Sequence, residues 1–151
     1  MKIRRMAYEI LERNNGIKKL ALAGIMDNGL HMAQMLKLAL QEIAPIDIIV
    51  IPLKLDKTSP KAPLVDSEAL SGYDHVIVVD DVVNSGKTLI YALLPFLDLE
   101  IKRIQTLTLV ERSYKIFPVH VDYVGITLAT TFQDHIQVEI SNGQITGAFL
   151  H

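Results

Sequence analysis

The amino-acid sequence predicts an α/β fold, in which helices flank a parallel sheet. Apolar runs rich in Ile, Val and Leu alternate along the chain with segments whose apolar residues recur every three or four positions. Turn-forming residues separate the two kinds of segment. Polar loops follow three of the apolar runs, at residues 26–29, 80–88 and 111–118. Because parallel strands end at one edge of a sheet, these loops are expected to converge on one crevice.

The N-terminal part is predicted to run helix, strand, loop, helix. Apolar residues from Ile3 to Leu11 indicate a helix of about three turns, and Asn14-Asn15-Gly16 supplies residues that tolerate the left-handed cap. The run from Lys19 to Ile25 predicts the first strand. After the turn Met26-Asp27-Asn28-Gly29, helical spacing continues from Leu30 to Ile43.

The middle of the chain is predicted to hold a second strand, a long loop, a third strand, a helix and a fourth strand. The loop is inferred from its Pro, Gly, Ser and Lys content. Pro95 is tolerable because it falls near the end of its helix. In order, these segments are Ile46 to Leu55, Lys54 to Asp74, Val76 to Asp80, Leu89 to Leu97, and Ile104 to Glu111.

The tail is predicted to add short strands rather than another strand–helix unit. They are Val121 to Ile126, Ile136 to Ile140, and Gln144 to Leu150, and Ser141-Asn142-Gly143 is a tight-turn signal between the last two. The tail is therefore interpreted as a hairpin-rich addition to the sheet.

Composition narrows the class of protein. A chain of 151 residues, half of them apolar, fits one domain over residues 1–151. No apolar run approaches the roughly 20 residues that span a bilayer, and the N-terminus lacks a signal-peptide pattern, so we expect a soluble, cytoplasmic protein without a membrane partner. The absence of Cys excludes disulfides, thiolate catalysis and zinc-thiolate sites. A net charge of −2 disfavours nucleic acid, and the five histidines share no metal-ligand spacing.

The segment from Val76 to Thr88 carries the strongest functional signal. Its Gly86-Lys87-Thr88 imitates a phosphate-binding P-loop, but the first glycine of that pattern is replaced by Asp81, a carboxylate that repels phosphate. A nucleoside triphosphatase is therefore disfavoured. Asp80 and Asp81 can instead accept hydrogen bonds from vicinal sugar hydroxyls.

The turn after the acids can bind a phosphate. Backbone N–H groups of Ser85 to Thr88, at a helix N-terminus, form an anion site. Acids and turn together suit a ribose 5-phosphate. The alternative interpretation is structural: the acids end a strand, and the turn caps a helix.

All thirteen positions from Val76 to Thr88 resemble the phosphoribosyl-diphosphate signature of type I phosphoribosyltransferases. The resemblance implies that family's fold, a parallel sheet core flanked by helices with a C-terminal hairpin-rich hood. It implies that Asp80 and Asp81 hold the ribose hydroxyls and that the turn binds the 5-phosphate. It also implies Mg²⁺ on the diphosphate. The residues implied for the turn are Asn84, Ser85, Gly86, Lys87 and Thr88.

Within that family the chain resembles the PyrR pyrimidine-operon regulators, which have uracil phosphoribosyltransferase activity. The segments that carry the resemblance are Ile3-Arg4-Arg5, Glu12-Arg13-Asn14, Leu109-Val110-Glu111-Arg112, Asp122-Tyr123-Val124-Gly125 and Gln137-Val138-Glu139-Ile140. Asn84 stands where 6-oxopurine enzymes carry an Asp, so the resemblance favours a pyrimidine base such as uracil, or no base at all, and UMP as the nucleotide ligand.

The resemblance assigns further roles. It places Tyr123, Val124 and Gly125 near the base, with the aromatic ring as a wall; the alternative is a plain strand. Arg112 could bind diphosphate, and Glu111 could hold Mg²⁺ together with Asp80 and Asp81. The alternative for Glu111 and Arg112 is a solvent-exposed ion pair.

The diphosphate loop is expected at Asp27, Asn28 and Gly29, where PyrR-like enzymes place Thr-Arg-Gly. A neutral amide thus replaces a cation, and Asp27 disfavours diphosphate unless magnesium bridges it. We therefore predict weak or absent turnover. The alternative function is a non-catalytic, nucleotide-sensing regulator.

The loop from Lys54 to Asp74 is expected to be a lid whose lysines restore positive charge; the alternative is an ordinary solvated loop. Those lysines are Lys54, Lys57 and Lys61. RNA is a disfavoured partner, because Ile116, Ile126 and Phe132 stand at basic positions of the family, although Lys115 persists. The resemblance also implies a homodimer or homotetramer.

Overall fold

The computed structural model describes residues 2–56, 58–129, 136–141 and 144–150. Helices and strands alternate through most of the chain, as the sequence predicts. In chain order the elements are α1 (Lys2–Arg13), β1 (Lys19–Ile25), α2 (Asn28–Ile43), β2 (Asp47–Leu53), β3 (His75–Val83), α3 (Lys87–Leu97), β4 (Arg103–Arg112), β5 (Tyr123–Leu128), β6 (Ile136–Ser141) and β7 (Gln144–Leu150).

The core is a parallel sheet with strand order β2-β1-β3-β4-β5, which confirms the predicted architecture. On one face, Met6 and Ile10 of α1 and Leu36 of α2 pack against the strands. On the other face, Leu89 and Phe96 of α3 do so. Because both faces are covered, the strands are near-continuous apolar runs. No helix among the described residues is both long and apolar enough to span a membrane.

Strand β3 changes its pleat at the two acids. Val79 and Val82 pack on the same face, although residues three apart on a regular strand lie on opposite faces. Val83 packs on the α3 side, opposite to Val79. At this level the carbonyl of Asp81 accepts a hydrogen bond from the Thr108 hydroxyl (3.1 Å). The side-chain alternation therefore shifts by one residue at Asp80 and Asp81.

The neighbouring strands shift at the same level. Leu109 and Val110 are consecutive in β4, yet both pack on the face that α1 and α2 cover. In β5, Gly125 comes so close to β4 that a Cβ atom there would lie 2.4 Å from the Leu109 carbonyl oxygen. We refer to Asp81, Leu109 and Gly125 as the shifted row.

Two predicted strands differ from the structure. Strand β3 continues to Val83 rather than ending at Asp80. Strand β5 belongs to the main sheet, parallel to β4, rather than to the C-terminal addition. The connection between β4 and β5 contains no helix, so the sequence lacks the strand–helix–strand pattern typical of parallel neighbours. Asp122 Oδ2 accepts the Thr106 amide (2.9 Å) and holds the start of β5 beside β4.

The C-terminal hairpin is confirmed as the antiparallel pair β6 and β7. Asn142 and Gly143 of the predicted turn lie outside the described residues. The long loop after β2 contains no helix or strand in its described part, as predicted. Pro95 lies within α3, close to its end at Leu97.

A buried polar network joins α1 to the sheet. Tyr123 is fully buried. Its hydroxyl donates to Gln105 Oε1 and accepts from Asn14 Nδ2, both at 3.0 Å. Burial raises the pKa of Tyr123, so the hydroxyl keeps its proton at neutral pH. The Arg13 guanidinium stacks 4.9 Å from the Tyr123 ring and donates to the Asp122 carbonyl (2.7 Å).

Removing the Tyr123 hydroxyl should destabilise the fold. Tyr123→Phe removes two hydrogen bonds, but Asn14 Nδ2 still donates to Gln105 Oε1 (3.0 Å) and to the Ile10 carbonyl (2.9 Å), so no buried group is left unsatisfied. We therefore expect the free energy of unfolding to fall by about 0.5–1.5 kcal/mol in urea denaturation. Tyr8→Phe, at an exposed tyrosine of α1, is the control and should change it by less than about 0.5 kcal/mol. Equal effects of the two variants would contradict a stabilising role for the network.

Candidate active site

The two acids are buried at the carboxyl end of β3. Asp80 is 2% exposed and Asp81 is 8% exposed. In each, Oδ1 accepts the amide of the following residue at 2.9 Å, from Asp81 and Val82 respectively. Because the pleat shifts here, strict alternation does not hold the two carboxylates on opposite faces. The structure thus removes the geometric obstacle to both acids serving one ligand.

The loop after β1 lies against these acids. The Met26 amide donates to the Leu53 carbonyl (2.9 Å), and the Met26–Asp27 peptide is cis. Asn28 Nδ2 donates to Asp81 Oδ2 (3.0 Å). A Cβ atom on Gly29 would lie 2.5 Å from the Val79 carbonyl oxygen. Only glycine therefore allows the loop this close to β3.

This loop is also the start of α2. The helix begins at Asn28, with Asp27 as its N-cap residue. The Asp27 side chain makes no capping hydrogen bond and is exposed. The first N–H groups of a helix favour an anion, whereas the Asp27 carboxylate opposes one. The loop therefore offers an anion site with an acid at its mouth.

The proposed phosphate turn begins α3. Gly86 adopts a left-handed conformation (φ 92°), and the helix starts at Lys87. The Lys87 amide donates to Ser85 Oγ (3.3 Å). Asn84, Ser85 and Thr88 are half-buried, and Asn84 Oδ1 is a buried acceptor that receives no hydrogen bond from the described residues. With no acid in its first turn, α3 presents a second helix N-terminus suited to an anion.

Residues 113–119, here called the outer segment, cover this turn. The Ser85 carbonyl accepts the amides of Ile116 (3.1 Å) and Phe117 (2.9 Å). A Cβ atom on Gly86 would lie 2.7 Å from Val119 Cγ1. The prediction that the three polar loops converge is therefore confirmed. The loop after β1 contacts Asp81, and the outer segment contacts the turn.

Glu111 and Arg112 end β4. Glu111 forms an ion pair with Lys115. The side chains are 14% and 18% exposed, so the ion pair that was the alternative for Glu111 exists, but with Lys115 as its partner and largely buried. Arg112 is 4% exposed. The Lys115 ammonium therefore competes with magnesium for the Glu111 carboxylate, and as long as the ion pair holds, magnesium needs other ligands. Glu111 as a metal ligand stays a prediction.

Magnesium would have to use the other carboxylates. No cluster of three or more His, Cys, Asp or Glu side chains is found among the described residues. Mg²⁺ commonly takes one or two carboxylates and completes its shell with substrate phosphate and water. Asp80, Asp81 and the exposed Asp27 provide oxygen donors of this kind.

The residues expected near the base lie at the same level of the sheet as the acids, with β4 between them. Register pairs join Asp80 to Thr108 and Thr108 to Val124, which places Val124 two strand spacings, about 10 Å, from Asp80. The carbonyls of Val124 and Gly125 accept hydrogen bonds from Arg5 Nη2 (2.8 and 3.0 Å).

The predicted aromatic wall is wrong, because the Tyr123 ring is buried and its hydroxyl is used within the core. The resemblance predicted the wall and a plain strand was the alternative; the structure shows Tyr123 as a buried residue of β5.

One of the predicted lid lysines, Lys54, lies near the first loop, and Lys61 shares a cavity with it. Lys54 directly follows β2, whose Leu53 carbonyl accepts the Met26 amide. Lys54 and Lys61 line a cavity of about 550 Å³, together with Asp56. Lys57 lies outside the described residues.

Sequence reasoning missed two contacts of the site. Thr108 bonds the carbonyl of Asp81, and the outer segment bonds the carbonyl of Ser85 through backbone amides. A buried threonine in a strand carries no distinctive signal, and backbone donors carry none at all.

The chain matches known proteins over most of its length. The family model of the phosphoribosyl transferase domain matches residues 1–141. The bifunctional protein PyrR of Ligilactobacillus salivarius is 33% identical over 149 residues, which cover 90% of this chain and 83% of that protein. The bifunctional protein PyrR of Deinococcus deserti is 36% identical over 146 residues, which cover 90% of this chain and 80% of that protein.

Solved structures of phosphoribosyltransferases share the fold. A hypoxanthine-guanine phosphoribosyltransferase of Bacillus anthracis superposes with a TM-score of 0.70 at 20% identity, covering 89% of this chain and 78% of that one. The hypoxanthine phosphoribosyltransferase of Trypanosoma cruzi gives 0.69 at 18% identity, covering 84% and 75%. The chain therefore belongs to the type I phosphoribosyltransferase family. Within that family, its PyrR relatives are similar over nearly all of its length.

The turn at Gly86 should not accept a side chain. Gly86→Ala adds a methyl group that collides with Val119 at a positive φ, so we expect a loss of stability and of phosphate-ligand binding. Gly16→Ala is the matched control, because Gly16 has a similar φ of 80° and open space around its Cβ position. We expect a cost of about 1–2 kcal/mol for Gly16→Ala, from backbone strain alone, and a larger one for Gly86→Ala. Urea denaturation measures the loss of stability in both variants, and equal losses would show that the turn can move to accept the methyl group.

Proposed function

We propose that this protein transfers ribose 5-phosphate from phosphoribosyl diphosphate to uracil or a related pyrimidine, releasing diphosphate. The observation that carries the proposal is the contact between Asn28 and Asp81, which brings the loop at the start of α2 onto the buried acids. This contact supports a site at one edge of the sheet, in which the acids would bind ribose, the turn the 5-phosphate and the loop the diphosphate.

The proposed mechanism depends on positioning. A base nitrogen displaces diphosphate from the ribose C1 through an oxocarbenium-like state, and the proton of that nitrogen leaves to water or to the released diphosphate. The carboxylates of Asp80 and Asp81 accept hydrogen bonds from the ribose hydroxyls, while the N–H groups of residues 85–88 hold the 5-phosphate. Fixing both ends of the sugar aligns C1 with the incoming base.

Magnesium is the proposed cofactor. When bound to the diphosphate it would neutralise the leaving group. Asp80, Asp81 and Asp27 are the carboxylates that could hold it from the protein side. Asp27 makes no capping hydrogen bond, so its carboxylate is available for this role. The described lid lysines, Lys54 and Lys61, would add positive charge when the loop closes over the site; Lys57 is proposed for the same role from the sequence.

A pyrimidine is proposed because Asn84 cannot act as the acid or base that the 6-oxopurine enzymes place there. The buried Asn84 oxygen would fit a ligand O–H or N–H donor, which both ribose and uracil carry. Backbone groups of Val124 and Gly125 that Arg5 leaves unbound would read the base edge. The PyrR names of the relatives support the same substrate class.

The acid pair can be tested by ligand-induced stabilisation. Phosphoribosyl diphosphate, UMP and GMP are titrated with and without magnesium while the melting temperature is followed. We expect UMP to stabilise the wild type more than GMP, and saturating ligand at about 100 times Kd to add about 2.7 kcal/mol. Asp80→Asn combined with Asp81→Asn should abolish the shift and leave a folded protein.

Asp98→Asn is the control, because Asp98 is an exposed acid at the end of α3. It should keep the full ligand shift. If no ligand stabilises the wild type, the proposed function is wrong.

Turnover is proposed to be weak. Asn28 supplies a neutral amide at the diphosphate loop, and that amide is engaged with Asp81 rather than directed at an anion. A diphosphate leaving group carries several negative charges and is stabilised most by cations that face it. We therefore expect uracil phosphoribosylation slower than about one turnover per second, the low end for enzymes.

Asn28→Arg tests this account. A guanidinium can bind phosphate oxygens in two parallel hydrogen bonds, so we expect kcat/KM for phosphoribosyl diphosphate to rise by about tenfold or more. Asn15→Arg, the same substitution at an exposed position after α1, controls for net charge and should have no effect. Wild-type turnover at an ordinary rate, or no gain in Asn28→Arg, would contradict the account of the loop.

The second candidate function is a non-catalytic sensor of pyrimidine nucleotides. The Asn28–Asp81 hydrogen bond also favours a sensor, because this bond connects the loop to the proposed ribose half of the site without adding a cation for diphosphate. Calorimetry separates the two candidates. A sensor binds UMP tightly and phosphoribosyl diphosphate with magnesium weakly, whereas a transferase must bind both.

A further inference from the structure

The ion pair between Glu111 and Lys115 lies where the outer segment leaves β4. Its side chains are 14% and 18% exposed. The ion pair between Arg5 and Glu9 has the same four-residue separation, but its side chains are 50% and 31% exposed. Exposed pairs contribute little to stability, whereas breaking a buried pair leaves an uncompensated charge. The Glu111–Lys115 pair therefore restrains the path of the chain that follows it.

That chain is the part of the outer segment that holds the phosphate turn. Ile116 and Phe117, the next two residues, both donate their amides to the Ser85 carbonyl. Lys87 of the turn lies with its ammonium group 5.9 Å from the centre of the Phe117 ring. The ion pair and the turn are thus connected through two consecutive backbone amides.

The orientation of the Ser85 carbonyl sets the orientation of the Gly86 N–H. The Ser85–Gly86 peptide is trans, and in a planar trans peptide the N–H points opposite to the C=O. Because the Ser85 carbonyl points to the outer segment, the Gly86 N–H points away from that segment. That N–H is one of the donors at the start of α3 that would receive a phosphate.

We infer that Glu111 and Lys115 are positioning residues for 5-phosphate recognition, acting through Ile116, Phe117 and the Ser85–Gly86 peptide. The inference rests on the proposed function of the turn. It gives Glu111 a role that requires no metal. Loss of the pair releases the outer segment, the Ser85 carbonyl loses its fixed direction, and the Gly86 N–H no longer meets the phosphate.

The test compares affinities for UMP and uridine, which differ only in the 5-phosphate. Their ratio isolates the contribution of the phosphate and does not change when a variant merely lowers stability. We expect Lys115→Met and Glu111→Gln each to reduce the ratio by about tenfold, as for one misaligned charge-assisted hydrogen bond. Lys115→Arg retains the pair and should keep the wild-type ratio. Glu9→Gln, at the exposed pair, is the matched control and should also keep it.

Glu111→Gln preserves side-chain volume, so it keeps the test informative if Lys115→Met fails to fold. An unchanged UMP-to-uridine ratio in Glu111→Gln, with a lowered melting temperature, would show a structural role only and overturn the inference. A magnesium requirement that shifts in Glu111→Gln would identify Glu111 as a metal ligand and overturn it as well. If the wild type itself binds UMP no better than uridine, the proposed function of the turn fails instead.

Discussion

The pleat shift across β3, β4 and β5 is the constraint on which the site depends. A regular strand would send Asp80 and Asp81 to opposite faces of a sheet that helices cover on both sides. The shift relaxes that alternation, and it occurs together in three strands, since Leu109 and Gly125 share the level of Asp81. Thr108 supplies a side-chain donor to the Asp81 carbonyl at this level. The irregularity of the sheet thus coincides with the proposed ligand site.

Around this row, the site is assembled from both sides of β3. Gly24 and Gly29 let the loop after β1 approach: a Cβ atom on Gly24 would lie 2.5 Å from Leu30 Cα, and one on Gly29 would meet the Val79 carbonyl. On the other side, the outer segment holds Ser85. Two helix N-termini, those of α2 and α3, therefore flank the buried acids, and their positive ends suit a ligand with phosphate groups at both ends.

Much of this arrangement could be predicted from the sequence, because periodicity and turn residues are local signals. The bounds of β1 and β7 match the prediction, and the acids followed by the turn identified the family segment. What could not be predicted depends on contacts distant in sequence. The membership of β5 in the parallel sheet depends on Thr106 and Asp122, the burial of Tyr123 on Asn14 just after α1, and the pairing of Glu111 on the path of the outer segment. The sequence of an apolar strand with an aromatic residue is the same whether the strand lines a ligand site or packs in a core.

The arginines of α1 have a consequence for self-association. In the described sheet β5 is a terminal strand, and such strands offer backbone acceptors to which another chain can add. Here the carbonyls of Asp122, Val124 and Gly125 already accept hydrogen bonds from Arg13 and Arg5. A foreign strand would have to displace both guanidinium groups before it could pair along this stretch. The first helix thereby protects the sheet from continuing into a neighbouring molecule.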